Sequence, residues 1–191
     1  MTSHRGRKGR SKADWLEAGL EALCEGGADN LSVERLAARL GIAKSGFYWH
    51  FKNRDQLLDS ILDFWIDELT GIAANNVEML KIEPKTRLIE VAEMILTYEL
   101  CRFDIPIRQW ALTDERAAKA VQKVTKLRQD FIGQAFAELG FEGEDLEMRT
   151  MLYVAYHTFE GSMFRDVPPD KRRDMIARRI EVLTAPSPVK S

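Results

Sequence analysis

Residues 33–52 read VERLAARLGIAKSGFYWHFK. Val33, Leu36 and Leu40 recur at the spacing of a helix with one apolar face. Gly41 follows and breaks that helix, because glycine tolerates the left-handed geometry a tight turn requires. A second, short helix is expected over about 44–51. Ala37 is small where two such helices would touch, and Ile42 and Phe47 complete five inward-facing apolar positions. A small residue, then glycine, with those apolar positions filled, reads as two helices crossing at a fixed angle through a tight turn. The same pattern also suits an ordinary helical hairpin.

The residues after Phe47 discriminate between the two. Tyr48, Trp49 and His50 place three consecutive large rings on a short helix, and three consecutive rings cannot all be buried there. Ser32, Lys44, Ser45, Lys52 and Arg54 flank them. Hydroxyl, imidazole, ammonium and guanidinium groups all donate to phosphate oxygens. Singly, His50 reads equally as a cap or surface histidine, and Trp49 as a core anchor. Together with the turn, the set reads as a helix-turn-helix that lays its second helix in the major groove of DNA.

The rest of the chain reads as helix. No stretch alternates β-branched residues, no Asn-Gly or Asp-Gly hairpin turn occurs, and none of the six prolines precedes Pro84. One helix is expected over about 12–25, with Trp15, Leu16, Leu20 and Leu23 as its stripe, stopped by Gly26 and Gly27. Ser32 is positioned to N-cap the helix over 33–40. A long helix opens near Asn53 and is expected to run past Met79. Pro84 opens another, Pro106 starts a short one containing Trp110, and Thr113 with Asp114 and Glu115 caps one that Gly140 closes. A helix over about 144–164 and one from Pro168–Pro169 to before Pro186 complete an all-α fold.

Composition excludes several classes. The chain has 191 residues, 45% hydrophobic and 30% charged, which suits a folded core rather than disorder. Its longest apolar run, Met151 to Tyr156, is far short of a membrane span, so no membrane partner is expected. No apolar stretch follows the basic N-terminus, so no secretory signal is expected. Cys24 and Cys101 are far apart and form no CxxC, which favours the reducing cytoplasm. His4, His50 and His157 are scattered, so neither a metal nor another cofactor is expected. The net charge of −2 conceals an asymmetry. Arg5, Arg7, Lys8, Arg10 and Lys12 stand in the first twelve residues without an acid, whereas residues 56–191 are net acidic. A basic arm suggests a polyanion at one end, although a solvated tail has the same composition.

Residues 10–70 resemble the DNA-binding domain of the TetR family of transcriptional regulators. The matching segments are LEAGLEALCEGG, LSVERLAARLGIAKSGFYWHF and KNRDQLL, with Tyr48-Trp49-His50-Phe51, Arg54 and Leu57 at the hallmark positions. Arg54 stands where lysine is more usual. The resemblance implies an N-terminal three-helix helix-turn-helix domain over 10–70, preceded by the arm over 1–9. A helical ligand-binding and dimerisation domain would follow over 71–185, then a tail over 186–191. It implies that Lys44, Tyr48 and His50 hold the DNA backbone, helped by Ser32 and Arg54. Ser45, Gly46 and Trp49 would face base edges, with Gly46 permitting close approach.

It further implies a homodimeric regulator, expected to be a repressor, on a near-palindromic double-stranded operator, released by a small-molecule ligand. The helix over 144–164 is apolar on more than one side, which calls for a second cover. Leu152, Tyr156, Phe159 and Met163, with Ile176, Ile180 and Leu183, are the candidate dimer surface. Trp65, Met94, Tyr98, Phe103, Trp110, Tyr153 and His157 are candidate ligand-lining residues, although aromatics at helical spacing also serve as plain core. The alternatives are a helical interaction protein with vestigial DNA binding and a bundle-type metal enzyme. The second has little support. His157-x-x-Glu160 supplies one reversed pair where such bundles use two Glu-x-x-His pairs and two more carboxylates, so no catalytic residue is assigned.

Overall fold

The computed structural model describes residues 10–71 and 77–186. Residues 1–9 of the basic arm and 187–191 of the tail lie outside them. Among the described residues there is no strand. The chain folds into two compact units that divide between Phe64 and Trp65.

The first unit is built from three α-helices and two short 3-10 helices, the first over Ala28–Asn30. α1 (Lys12–Gly26) opens on a reciprocal cap: Asp14 N–H donates to Ser11 Oγ at 3.2 Å, and Ser11 N–H donates to Asp14 Oδ2 at 2.7 Å. α2 (Val33–Leu40) is capped by Ser32, whose Oγ accepts from Arg35 N–H at 3.3 Å. Gly41 ends α2 at φ 66° and ψ 33°, the left-handed region a side chain would strain. A 3-10 helix follows over Lys44–Trp49, and then α3 (Arg54–Phe64). α1 packs against α2 and α3. Trp15, Leu36, Phe47, Phe51, Leu57 and Ile61 are buried at the centre, while Leu40 and Ile42 are only half-buried.

Two expectations change here. The segment expected as helix over 44–51 is 3-10 rather than α, with Gly46 N–H donating to Ala43 O at 3.0 Å and His50 N–H to Phe47 O at 2.9 Å. The helix expected to run from Asn53 past Met79 keeps its α form only to Phe64. A π-helical turn spans Trp65–Thr70, and a separate 3-10 helix covers Val77–Lys81. Over one or two turns an apolar pattern does not distinguish these ladders from an α-helix.

The second unit contains α4 (Pro84–Thr97), α5 (Asp104–Trp110), α6 (Glu115–Glu138), α7 (Gly143–Met163) and α8 (Pro169–Thr184). Pro84 and Pro169 occupy first turns, where a missing N–H costs nothing. α6 packs against α4, α5 and α7, and α4 packs against α8. Leu88, Ala92, Phe136, Tyr153, Ile176 and Ile180 form the centre of the core. Polar groups within it are paired in part. Asp104, fully buried, accepts from Trp65 Nε1 at 3.2 Å and from Arg128 Nη2 at 3.1 Å. Arg87, also buried, is ion-paired to Glu138.

The placement of Ile176 and Ile180 corrects an expectation. Both are buried in the core of their own unit, so they are not available to a second chain, whereas Leu183 packs against that core and stays half-buried. α8 places them one turn apart on its inner face, where apolar spacing has the same form as an interface stripe. Asp104→Ala should lower the unfolding free energy by about 3 kcal/mol, because it strips the half-buried Arg128 guanidinium of the buried Asp104 carboxylate. Urea unfolding followed by circular dichroism measures this.

Candidate nucleic-acid interface

The candidate surface is arranged around one buried ring. Phe47 is fully buried, 5.4 Å from Trp15 edge-on and 5.2 Å from Phe51 in a stack, by ring centroids. A six-residue 3-10 helix seated on that ring must turn its neighbours away from the core. Trp49 is 87% exposed and Tyr48 61% exposed, the latter edge-on to Phe47. Lys44 and Ser45 are exposed beside them.

The polar residues divide into free and tied groups. Ser32 Oγ is engaged as the α2 cap. His50 Nε2 donates to the Arg10 carbonyl at 2.8 Å, holding the chain just before α1 against the 3-10 helix. Arg54 is similarly tied. Its Nε donates to Leu31 O at 2.8 Å and its Nη2 to Ala28 O at 3.4 Å, fastening the α1–α2 connection to the start of α3. Lys44 is ion-paired to Glu34 on α2. Their hydrogen bond holds the Lys44 ammonium above and the Glu34 carboxyl below their ordinary values. Glu34 carries no sequence signal for this role, because the ten-residue spacing to Lys44 crosses a turn whose angle only folding sets.

Gly46 has a distinctive standing. Its backbone is not in the left-handed region. A Cβ there would lie 3.5 Å from Ile42 Cδ1, an ordinary contact. The fold therefore does not require glycine at 46, unlike Gly41.

The candidate ligand-lining residues separate. Trp65, Phe103, Trp110, Tyr153 and His157 are buried, and Met94 packs against the core. Tyr98 does not belong with them, for it lies just past the end of α4 and is 66% exposed. Tyr153 donates its hydroxyl to Leu88 O at 2.7 Å, and its ring lies 4.5 Å from that of His157. His157 is 3% exposed with neither ring nitrogen hydrogen-bonded among the described residues, although Glu160 Oε2 approaches Nδ1 to 3.3 Å. Burial drives its pKa below the ordinary 6.5, against the opposing pull of Glu160. Burial also pushes the Cys101 thiol up to about 12. No group of three His, Cys, Asp or Glu side chains among the described residues stands close enough together to hold a metal ion. No helix among them is long and apolar enough to cross a membrane.

On α7 the core side carries Tyr153, Val154, His157 and Thr158. The opposite side leaves Met148, Met151, Leu152, Phe159 and Met163 exposed, each at 40% or more, and Tyr156 is half-buried.

A helix, a left-handed glycine turn and a short second helix displaying outward rings over a buried phenylalanine define a helix-turn-helix protein. Residues 16–61 match the family described as bacterial regulatory proteins, tetR family. Over that segment the chain is similar to this family. It is 40% identical over 53 residues to the tetracycline repressor protein class A from transposon 1721 of Escherichia coli, covering 28% of this chain and 24% of that protein. It is 46% identical over 46 residues to the tetracycline repressor protein class D of Escherichia coli, covering 24% and 21%. The matches thus span about a quarter of the length of these curated relatives. A transcriptional regulator from Rhodococcus sp. Rha1 superposes with a TM-score of 0.71 at 18% identity, over 91% of this chain and 96% of that one. AibR, solved in complex with isovaleryl coenzyme A and operator DNA, gives 0.65 at 21% identity, over 92% and 99%. At such identities the likeness is one of fold, and it extends through both units.

Two measurements follow. Gly46→Ala should leave thermal stability unchanged or raise it slightly, by less than about 1 kcal/mol, since alanine is the better helix former. A buried neutral His157 makes stability depend on acid. Above its unfolded value near 6.5 its contribution is complete; as pH falls below that, the unfolded chain takes up a proton that the native state resists. Stability should therefore decline as pH falls below about 6.5, by up to about 1.4 kcal/mol per pH unit. In His157→Leu the decline should be shallower; an identical pH profile would refute the assignment.

Proposed function

We propose that the protein is a ligand-responsive transcriptional repressor that binds a near-palindromic DNA operator as a homodimer. The observation carrying this reading is the exposed Tyr48–Trp49 pair on a helix seated by Phe47, next to a glycine that the fold does not need. Rings facing solvent on a rigid element are unfavourable unless something covers them. A glycine without a folding role is accounted for by close approach of a partner surface. Lys44 and Tyr48 act on phosphates; Ser45, Gly46 and Trp49 face bases. His50 and Arg54 combine phosphate contact with their backbone ties, so they also position the helix they flank. Lys44 must leave Glu34 to reach a phosphate. Such an exposed pair is weak, so the exchange costs little.

The exposed apolar side of α7 supports dimerisation, with Leu152, Phe159 and Met163 joined by Met148 and Met151. A two-fold dimer places its two recognition helices about 34–36 Å apart on successive major-groove faces. The second unit, which begins at Trp65, senses the ligand. Trp65, Phe103, Trp110, Tyr153 and His157 are the interior residues we assign to it. The operator and isovaleryl coenzyme A bound to AibR show that a protein of this fold accommodates both kinds of partner. Ligand binding is coupled to operator binding through the chain crossing at Phe64–Trp65, and linkage requires operator to weaken ligand binding by the same factor. The protein is not an enzyme in this reading, and it works in the cytoplasm.

The test is fluorescence anisotropy of the full chain on duplexes selected by binding from genomic fragments. Affinity should fall by roughly a thousandfold or more between about 50 and 200 mM salt, through counterion release. Lys44→Ala should weaken all duplexes alike and reduce the salt slope by about one, whereas Trp49→Ala and Gly46→Ala should change preference among them. A flat salt response would overturn the DNA-binding reading.

A further inference from the structure

Glu34 is an acid on a surface otherwise suited to phosphates. It stands exposed in the first turn of α2 and is ion-paired, across the turn at Gly41, to Lys44, the first residue of the 3-10 helix. The other charged residues of α2 turn elsewhere. Arg35 bonds to Asn30 in the α1–α2 connection, and Arg39 bonds to Glu25 near the end of α1 at 2.7 Å. Lys44 also lies within electrostatic reach of Tyr48. The Glu34 carboxylate is thus held at the leading end of the helix assigned to the major groove, the end that carries Ser45 and Gly46.

Its chemistry narrows what it can meet there. In a helix-turn-helix the first residues of the second helix reach base edges. When Lys44 leaves for a phosphate, Glu34 loses its cation while it remains close to DNA. An ionised carboxylate only accepts hydrogen bonds, and phosphate oxygens repel it. The donors that B-DNA offers in the major groove are the exocyclic amines of cytosine, at N4, and adenine, at N6. Adenine sets its N7 acceptor beside that amine, against the second oxygen of a carboxylate. Cytosine carries no acceptor on its own major-groove edge.

We propose that Glu34 is a specificity-determining residue that reads cytosine at one position of each half-site, its carboxylate accepting from the N4 amine. Lys44 and Glu34 then exchange each other for DNA: the ammonium takes a phosphate oxygen and the carboxylate takes a base amine. The acid also penalises duplexes that lack this amine, because it is left unpaired among phosphates. The proposal rests on the DNA-binding reading above and adds to it a base contact from α2.

The experiment selects duplexes from a random pool with the full chain, then measures anisotropy at one fixed salt concentration on the selected duplex and its single-base variants. One position per half-site should favour cytosine over each other base by roughly 5- to 10-fold. In Glu34→Ala that preference should disappear while preferences at the other positions persist. Glu34→Gln should shift it toward adenine, because an amide matches N6 and N7 together. Lys44→Ala should keep it. Melting curves check that the three variants are folded. A base preference unchanged in Glu34→Ala, whether or not all duplexes bind more tightly, overturns the proposal. So does a preference lost in Lys44→Ala but kept in Glu34→Ala, which would assign it to a lysine reading the paired guanine. A parent chain with no cytosine-preferring position overturns it as well. Each of these failures leaves a steep salt response intact, whereas a flat salt response removes the DNA-binding reading itself.

Discussion

The surface that displays Tyr48 and Trp49 depends on the burial of a single ring. Phe47 lies between Trp15 of α1 and Phe51, and it is the fully buried residue of the 3-10 helix. A six-residue helix is too short to hold itself in water. Its orientation is inherited from the one side chain that anchors it. Once Phe47 is in the core, Tyr48 and Trp49 must face outward. Gly41 sets the angle at which that anchor arrives, because its left-handed backbone turns the chain directly after α2.

Around this anchor, hydrogen bonds divide the polar residues between holding the surface and presenting it. His50 and Arg54 give donors to the carbonyls of Arg10, Leu31 and Ala28. These bonds clamp the 3-10 helix and the start of α3 to segments distant in sequence. Lys44, paired with Glu34, keeps its charge at the surface. The second unit inverts the pattern. Asp104, Arg128 and Trp65 satisfy one another in the interior, whereas His157, Arg172 and Arg179 retain buried nitrogens without hydrogen bonds. Unsatisfied groups of this kind are costly in a stable core.

Much of the fold is legible from local rules. Ser32, Pro84, Asp114, Gly140 and Pro169 mark helix ends because caps and breakers act within one turn. The outward set at Tyr48 and Trp49 is legible for a similar reason, since three rings in a row exceed what one short helix can bury. The π-turn at Trp65–Thr70 is not legible, because π and α ladders carry the same apolar residues over so few positions. Nor are the roles of Ile176, Ile180 and Tyr98. An apolar stripe reads the same whether it faces its own core or a partner, and the end of α4 decides that Tyr98 falls outside.

The sequence by itself determined the helices, the turn at Gly41 and the class of residues displayed after Phe47, because these follow from backbone propensity and spacing within a few residues. Tertiary structure alone decided which polar groups are tied and which are free. Lys44 with Glu34, Arg54 with Leu31, and Arg179 over Tyr156 each join residues brought together by helix packing. Partners set by the crossing of two helices leave no period in the chain, so only the folded molecule assigns them.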